Sequence, residues 1–94
     1  MYKAPPIIYD DSLIRSIVNE IINRTPGINT VIKPKITISS DKSIITIAIA
    51  PLSSINNVLN IATTLQINTI NTLKKNMDVH PKQVNVQVIS EEHD

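Results

Sequence analysis

At 94 residues the chain has room for one domain and one compact core, which argues against a deep cleft between subdomains. Its apolar share of 41% comes mainly from isoleucine, with no Phe, Trp or Cys, so the core must be aliphatic, and disulfides, thiolate metal sites and cysteine nucleophiles are excluded. The net charge of +1, with the signs interspersed, lacks the basic excess usual in nucleic-acid binders.

The six prolines (Pro5, Pro6, Pro26, Pro34, Pro51 and Pro81) all fall between periodic segments, so they serve as boundaries. A first helix is expected from Asp11 or Ser12 to Arg24. Asp10, Asp11 and Ser12 offer oxygens to cap it, and Leu13, Ile14, Ile17, Val18, Ile21 and Ile22 form a broad apolar arc. Thr25-Pro26-Gly27 ends it, with Gly27, the only glycine, expected as a left-handed C′ residue. Ile28 to Pro34 reads equally as an edge strand or as an extended connection. A hairpin follows. Ile36 and Ile38 alternate with Thr37 and Ser39, Ser40-Asp41-Lys42 has turn chemistry, and Ile45, Ile47 and Ile49 alternate with Ile44, Thr46, Ala48 and Ala50.

Pro51-Leu52-Ser53-Ser54 is expected to open a second helix that runs to about Asn76, capped by Ser53 or Ser54. Its apolar stripe is Ile55, Val58, Leu59, Ala62, Leu65, Ile70 and Leu73. Its other face is rich in asparagine, a weak helix former, so tertiary packing must hold it. A last strand is expected from Gln83 to Ile89, with Val84, Val86 and Val88 on one face and Asn85 and Gln87 on the other. The fold class is therefore α+β: a two-layer sandwich in α-β-β-α-β order, with both helices on one face of a three-stranded mixed sheet. A short extra strand at Ile7 to Tyr9 would add to it. The second helix crosses between the second and third strands, which makes those two parallel. The chain is read as one domain over residues 1–94, with residues 1–9 as an N-terminal arm and 90–94 as a polar tail.

No catalytic constellation emerges. His80 lies in a loop and His93 in the tail, and the acids Asp10, Asp11, Glu20, Asp41, Asp78, Glu91 and Glu92 are scattered over caps, turns and the tail. With one glycine no phosphate-cradling loop can be written, and the sheet offers no aromatic for base stacking. The expected protein is not an enzyme and takes no cofactor or metal. Lys33, Lys35, Lys74, Lys75 and Lys82 make a candidate basic patch. Ile61 and Ile67 fall off the apolar stripe, and with Thr37, Thr46 and Ala48 of the open sheet face they are candidate protein contacts. Met1 to Tyr9 lacks the pattern of a signal peptide, and no apolar stretch reaches the ~18 residues of a transmembrane helix. The expected location is the cytoplasm, with membranes reached only through a partner. The Ile, Asn and Lys content suits a low-GC bacterial source.

Four stretches resemble the alkaline shock protein family of envelope stress response proteins, a domain-of-unknown-function type. Ile8-Tyr9-Asp10-Asp11-Ser12-Leu13-Ile14 is similar to the family's opening, and Thr25-Pro26-Gly27-Ile28 to its "PGV" turn. The segment from Ile44 to Ala50 resembles its second hairpin strand. The run from Val58 to Val88, with Gln66 in the helix and Val84-Asn85-Val86-Gln87-Val88 at the end, resembles its closing helix and "VNV" strand. The family's usual glycine before the last strand is replaced by Met77-Asp78-Val79, and the glycine-rich insert after "PGV" is missing, so the chain resembles a minimal, divergent member. The resemblance implies a cytosolic, non-enzymatic, often self-associating protein linked to cell-envelope homeostasis, with no catalytic or ligand residue to carry over. Self-association or a protein partner is thus the expected mode of action. The alternative is a small RNA- or ribosome-associated domain of KH-like type, which requires the five lysines to converge on one face.

Overall fold

The structure is a computed structural model and describes residues 9–52 and 57–89. Helix α1 (Asp11–Arg24) forms where the apolar periodicity places it. Asp10 is its N-cap residue, but the Asp10 carboxylate makes no capping bond and instead accepts the Ser12 hydroxyl at 3.1 Å. The buried arc is narrower than expected. Ile14, Val18, Ile21 and Ile22 are buried and Ile17 partly so, while Leu13 is exposed. Gly27 does take a positive φ of 92°, but not as the residue that ends the helix. Pro26 disfavours the helical region for the residue before it, so Thr25 is already extended (φ −88°, ψ 115°), and Gly27 turns the chain two residues later.

After that turn the chain runs beside the end of the hairpin without forming a strand. The segment from Ile28 to Pro34 makes a single bridge, Ile28 to Pro51, supported by Asn29 N donating to Ala50 O at 2.8 Å and Leu52 N donating to Gly27 O at 2.9 Å. Strand β1 (Lys35–Ile38) then pairs antiparallel with β2 (Ile44–Ile49), and β2 pairs parallel with β3 (Gln83–Val88), giving the order β1-β2-β3. The register places Ile36, Ile47 and Val86 in one row and Ile38, Ile45 and Val84 in the next. These side chains face the helices, and Ile45, Ile47 and Ile49 are the fully buried centre. α1 lies over β1 and against helix α2 (Val58–Met77), which lies over β3. The result is the α+β arrangement in α-β-β-α-β order, with a three-stranded mixed sheet. Of the expected extra strand at Ile7 to Tyr9, only Tyr9 is described; it is not in a strand and packs against the core.

The hairpin turn is fixed by Asp41. Its Oδ1 accepts Ser39 Oγ at 2.8 Å, Ser43 Oγ at 2.6 Å and Ser43 N at 3.1 Å, while Lys42 sits at φ 62° and reaches Asp11 Oδ1 at 2.9 Å. The Ser43 hydroxyl and amide, then the Ser39 hydroxyl, lower the Asp41 pKa from 3.8 to about 2. A lowered folded-state value contributes stability above the unfolded pKa, and that contribution is lost as pH falls through the folded value. The turn should therefore loosen only as pH drops from about 4 towards about 2. An NMR titration of the Asp41 carboxyl should give a midpoint near 2, and Ser43→Ala should move it back towards 3.8.

Helix α2 starts later than expected. It begins at Val58, where Asn57 is the cap residue and its side chain accepts Asn60 N at 3.3 Å; the expected caps Ser53 and Ser54, and Ile55, lie outside the described residues. The C-terminal end closes on Asp78 at φ 54°, with Asp78 N donating to Lys74 O at 3.2 Å and Val79 N to Leu73 O at 3.1 Å. A left-handed backbone strains any residue with a Cβ, and a carboxylate opposes the negative end of the helix dipole. Asp78→Gly should therefore raise stability by about 1 kcal/mol, read as a higher urea midpoint.

The buried face of α2 is Leu65, Thr69, Leu73 and Met77. Thr69 is fully buried and its hydroxyl has no hydrogen-bond partner among the described residues. Thr69→Val removes a desolvated hydroxyl at nearly constant shape and should stabilise the domain by about 1 kcal/mol. A melting temperature that falls instead would mean that the hydroxyl is bonded.

Candidate protein interface

The phase of α2 decides which side chains it leaves in water. Leu65, Thr69, Leu73 and Met77 follow at intervals of four, and Ile61 continues the same row and packs against the core. Ile61 is thus corrected from a candidate contact to a core neighbour. Leu59 and Ile70, expected in the core stripe, are exposed instead. Leu59, Thr63, Ile67 and Ile70 follow at intervals of four, four and three, which makes a second apolar row along one flank. Leu59 is 79% exposed and Ile67 51%. Thr69 hid this phase, because a threonine beside Asn68 reads as surface; the four-residue steps from Leu65 to Met77 are the signal that reveals it.

No residue of α2 before Lys74 carries a charge, and neither does any residue of β3. A solvent-facing helix of this length normally carries charges. The outer side of α1 does, with Arg15, Glu20 and Arg24 exposed. The uncharged surface is therefore confined to the α2–β3 side of the molecule.

β3 is an edge strand, and its outer edge can be identified residue by residue. The Gln83 amide donates to Ser43 O, just before β2, at 3.1 Å, and the Ile89 amide to Ile49 O of β2 at 2.8 Å. The strand period of two then turns the amides and carbonyls of Val84, Val86 and Val88 away from β2. Gln66 Nε2 on α2 donates to Val84 O at 3.0 Å. Since α2 runs back along β3, its N-terminal half, with Leu59 and Thr63, lies towards Val88, which is 44% exposed.

The open sheet face forms a separate surface on the other side of the sheet from α2. Thr37 is exposed there, and Thr46 is half-buried and accepts Asn85 Nδ2 at 3.3 Å. Ala48 is only 9% exposed. It lies in the centre strand, in register with Lys35 on one side and Gln87 on the other, so Ala48 is corrected from a contact to a buried position. Ala50 is likewise buried, by the segment that bridges at Ile28 and Pro51. The structure thus separates Ile67 from Thr37 and Thr46.

The five lysines do not converge. Lys35 pairs with Ala48 near one end of β2, and Lys33 precedes it. Lys82 donates its amide to Ser43 O at the other end of β2, and Lys74 and Lys75 end α2. Five residues of strand, about 16 Å, separate the two groups along β2.

His80 Nε2 lies 2.7 Å from Asp78 Oδ1 on the exposed loop before β3, and His93 lies outside the described residues. Among the described residues no group of three or more His, Asp or Glu gathers as a metal site, and no helix is long and apolar enough to cross a membrane. A hollow of about 130 Å³ between the end of α1 and α2 is lined by Thr25, Pro26, Asn60, Ile61 and Thr64, none of them titratable. No family model, curated protein or solved structure matches this chain.

Proposed function

We propose that this domain is a non-enzymatic protein-interaction module of the alkaline shock type, cytoplasmic, linked to cell-envelope homeostasis, and acting by self-association or by docking on another protein. The observation that carries this reading is the pairing of an exposed apolar flank, Leu59, Ile67 and Ile70, with a helix that has no charge before Lys74. Exposed apolar surface without charge is costly to keep in water and favours burial against protein. The four stretches similar to the family, from Ile8 through Val88, support the same reading. On it a membrane is reached only through a partner.

The separation of Lys33 and Lys35 from Lys74, Lys75 and Lys82 counts against the RNA-associated alternative, which needs one continuous basic face. Two NMR titrations distinguish the readings. Raising the protein concentration should shift amides of α2 and β3. Adding single-stranded RNA at low salt should leave the amides beside the five lysines unmoved. Salt-dependent shifts beside all five lysines, without concentration dependence along α2 and β3, would overturn the interaction reading.

A further inference from the structure

The two edges of the sheet are guarded very differently. β1 has four residues, follows Pro34, carries Lys35, and has Arg15 Nε donating to Ile36 O at 3.2 Å. Its antiparallel register turns Ile36 outward, so the arginine bonds a group that an incoming strand would need. Short length, a charge, a nearby proline and a covering side chain are the usual defences against edge pairing. β3 has six residues and no charge, proline or interruption in its register with β2. Gln66 occupies the Val84 carbonyl and so guards only the N-terminal half of this edge. The peptide groups of Val86 and Val88 face outward.

Given the interaction reading above, we infer that a second copy of this chain adds at the β3 edge. The two β3 strands lie antiparallel about a twofold axis at Gln87 and normal to the sheet. That axis sets Val86 opposite Val88 of the second copy and Gln87 opposite itself. It joins the outward-facing peptide groups of Val86 and Val88, which have no partner among the described residues, and it makes one six-stranded sheet from two three-stranded ones. The same axis puts both α2 helices on the same side of the joined sheet. The exposed flank of one helix, led by Leu59, then faces that of the other. A self-pairing surface must avoid like charges across its axis, and the uncharged run from residue 58 to 73 together with β3 meets that condition. One arrangement thus accounts for the open edge, the exposed Leu59 row and the missing charge.

The absence of cysteine makes the geometry directly testable by single-cysteine cross-linking. In a non-hydrogen-bonded antiparallel pair, facing Cα atoms lie about 4.5 Å apart, inside the roughly 4.4–6.8 Å that a disulfide spans. Under mild oxidation Gln87→Cys should convert to a covalent dimer, and Asn85→Cys, opposite Ile89 on this axis, should stay monomeric. Val88→Pro removes an outward-facing amide that the ladder to β2 does not use. It should keep the folded circular-dichroism spectrum and weaken association by more than about tenfold. Faster oxidation of Asn85→Cys than of Gln87→Cys would overturn the placement of the axis. If the wild-type chain associates and Leu59→Glu abolishes that association, but Gln87→Cys forms no dimer and Val88→Pro associates like wild type, the edge pairing fails and the interaction reading stands. A wild-type chain that stays monomeric at every concentration overturns the pairing, and one that in addition binds no other protein overturns the interaction reading as well.

Discussion

Ile47→Ala should cost the domain about 2–5 kcal/mol, a large part of the roughly 5–15 kcal/mol that holds a small domain folded. Ile47 is fully buried, in register between Ile36 and Val86, and both helices lie over that face of the sheet. Truncating it opens a cavity in a core that has no Phe or Trp to move into the space. At about 4–8 °C per kcal/mol for a chain of this size, the melting temperature should fall by roughly 8–40 °C. Ile44→Ala is the control. It removes the same atoms from the same strand, but Ile44 is on the open face and exposed, so the change should stay within about 0.5 kcal/mol. Equal losses at both positions, measured by urea unfolding, would mean that the two faces of β2 are wrongly assigned.

The second large effect separates two leucines of α2. Leu65 is fully buried, and a glutamate there would strand a charge in an aliphatic core; Leu65→Glu should leave the chain unfolded. Leu59→Glu places the same charge on the exposed flank. It should leave stability within about 0.5 kcal/mol and abolish association, because two carboxylates would meet across the twofold axis. Circular dichroism reads the first outcome and light scattering the second. A Leu59→Glu variant that unfolds like Leu65→Glu would mean that the phase of the helix is wrong.

The contrast between these two leucines also shows how far the sequence could be read. The sheet was legible because its alternation is strict. Ile36, Ile38, Ile45, Ile47 and Ile49 can share a face in only one way, and all five are buried. α1 was legible because its proline and its apolar spacing agree. α2 was legible as a helix but not in phase, because Thr69 occupies the centre of its buried face while Leu59 and Ile70 stand outside it. A stripe scored by apolar residues alone therefore slides round towards the two that are exposed. Ala48 was misread for the opposite reason. It lies on the centre strand with Lys35 and Gln87 as register neighbours, a cross-strand setting that no local pattern contains.

The open edge of β3 could not be read from the chain at all, since it depends on which strand lies outermost and on Gln66 reaching the Val84 carbonyl. What the sequence does contain is the lack of charge in β3 and in α2 before Lys74. Without the fold that reads only as polar, asparagine-rich helix surface. With the fold it becomes an uncharged side of the molecule, next to a strand edge where the peptide groups of Val86 and Val88 face outward.

Sedimentation equilibrium of the wild-type chain beside Leu59→Glu, over a concentration series through the micromolar range, tests the interaction surface most directly. A monomer–dimer equilibrium in the wild type and a monomer at every concentration in Leu59→Glu is the predicted result. Identical behaviour of the two chains, whether both monomeric or both dimeric, would contradict it.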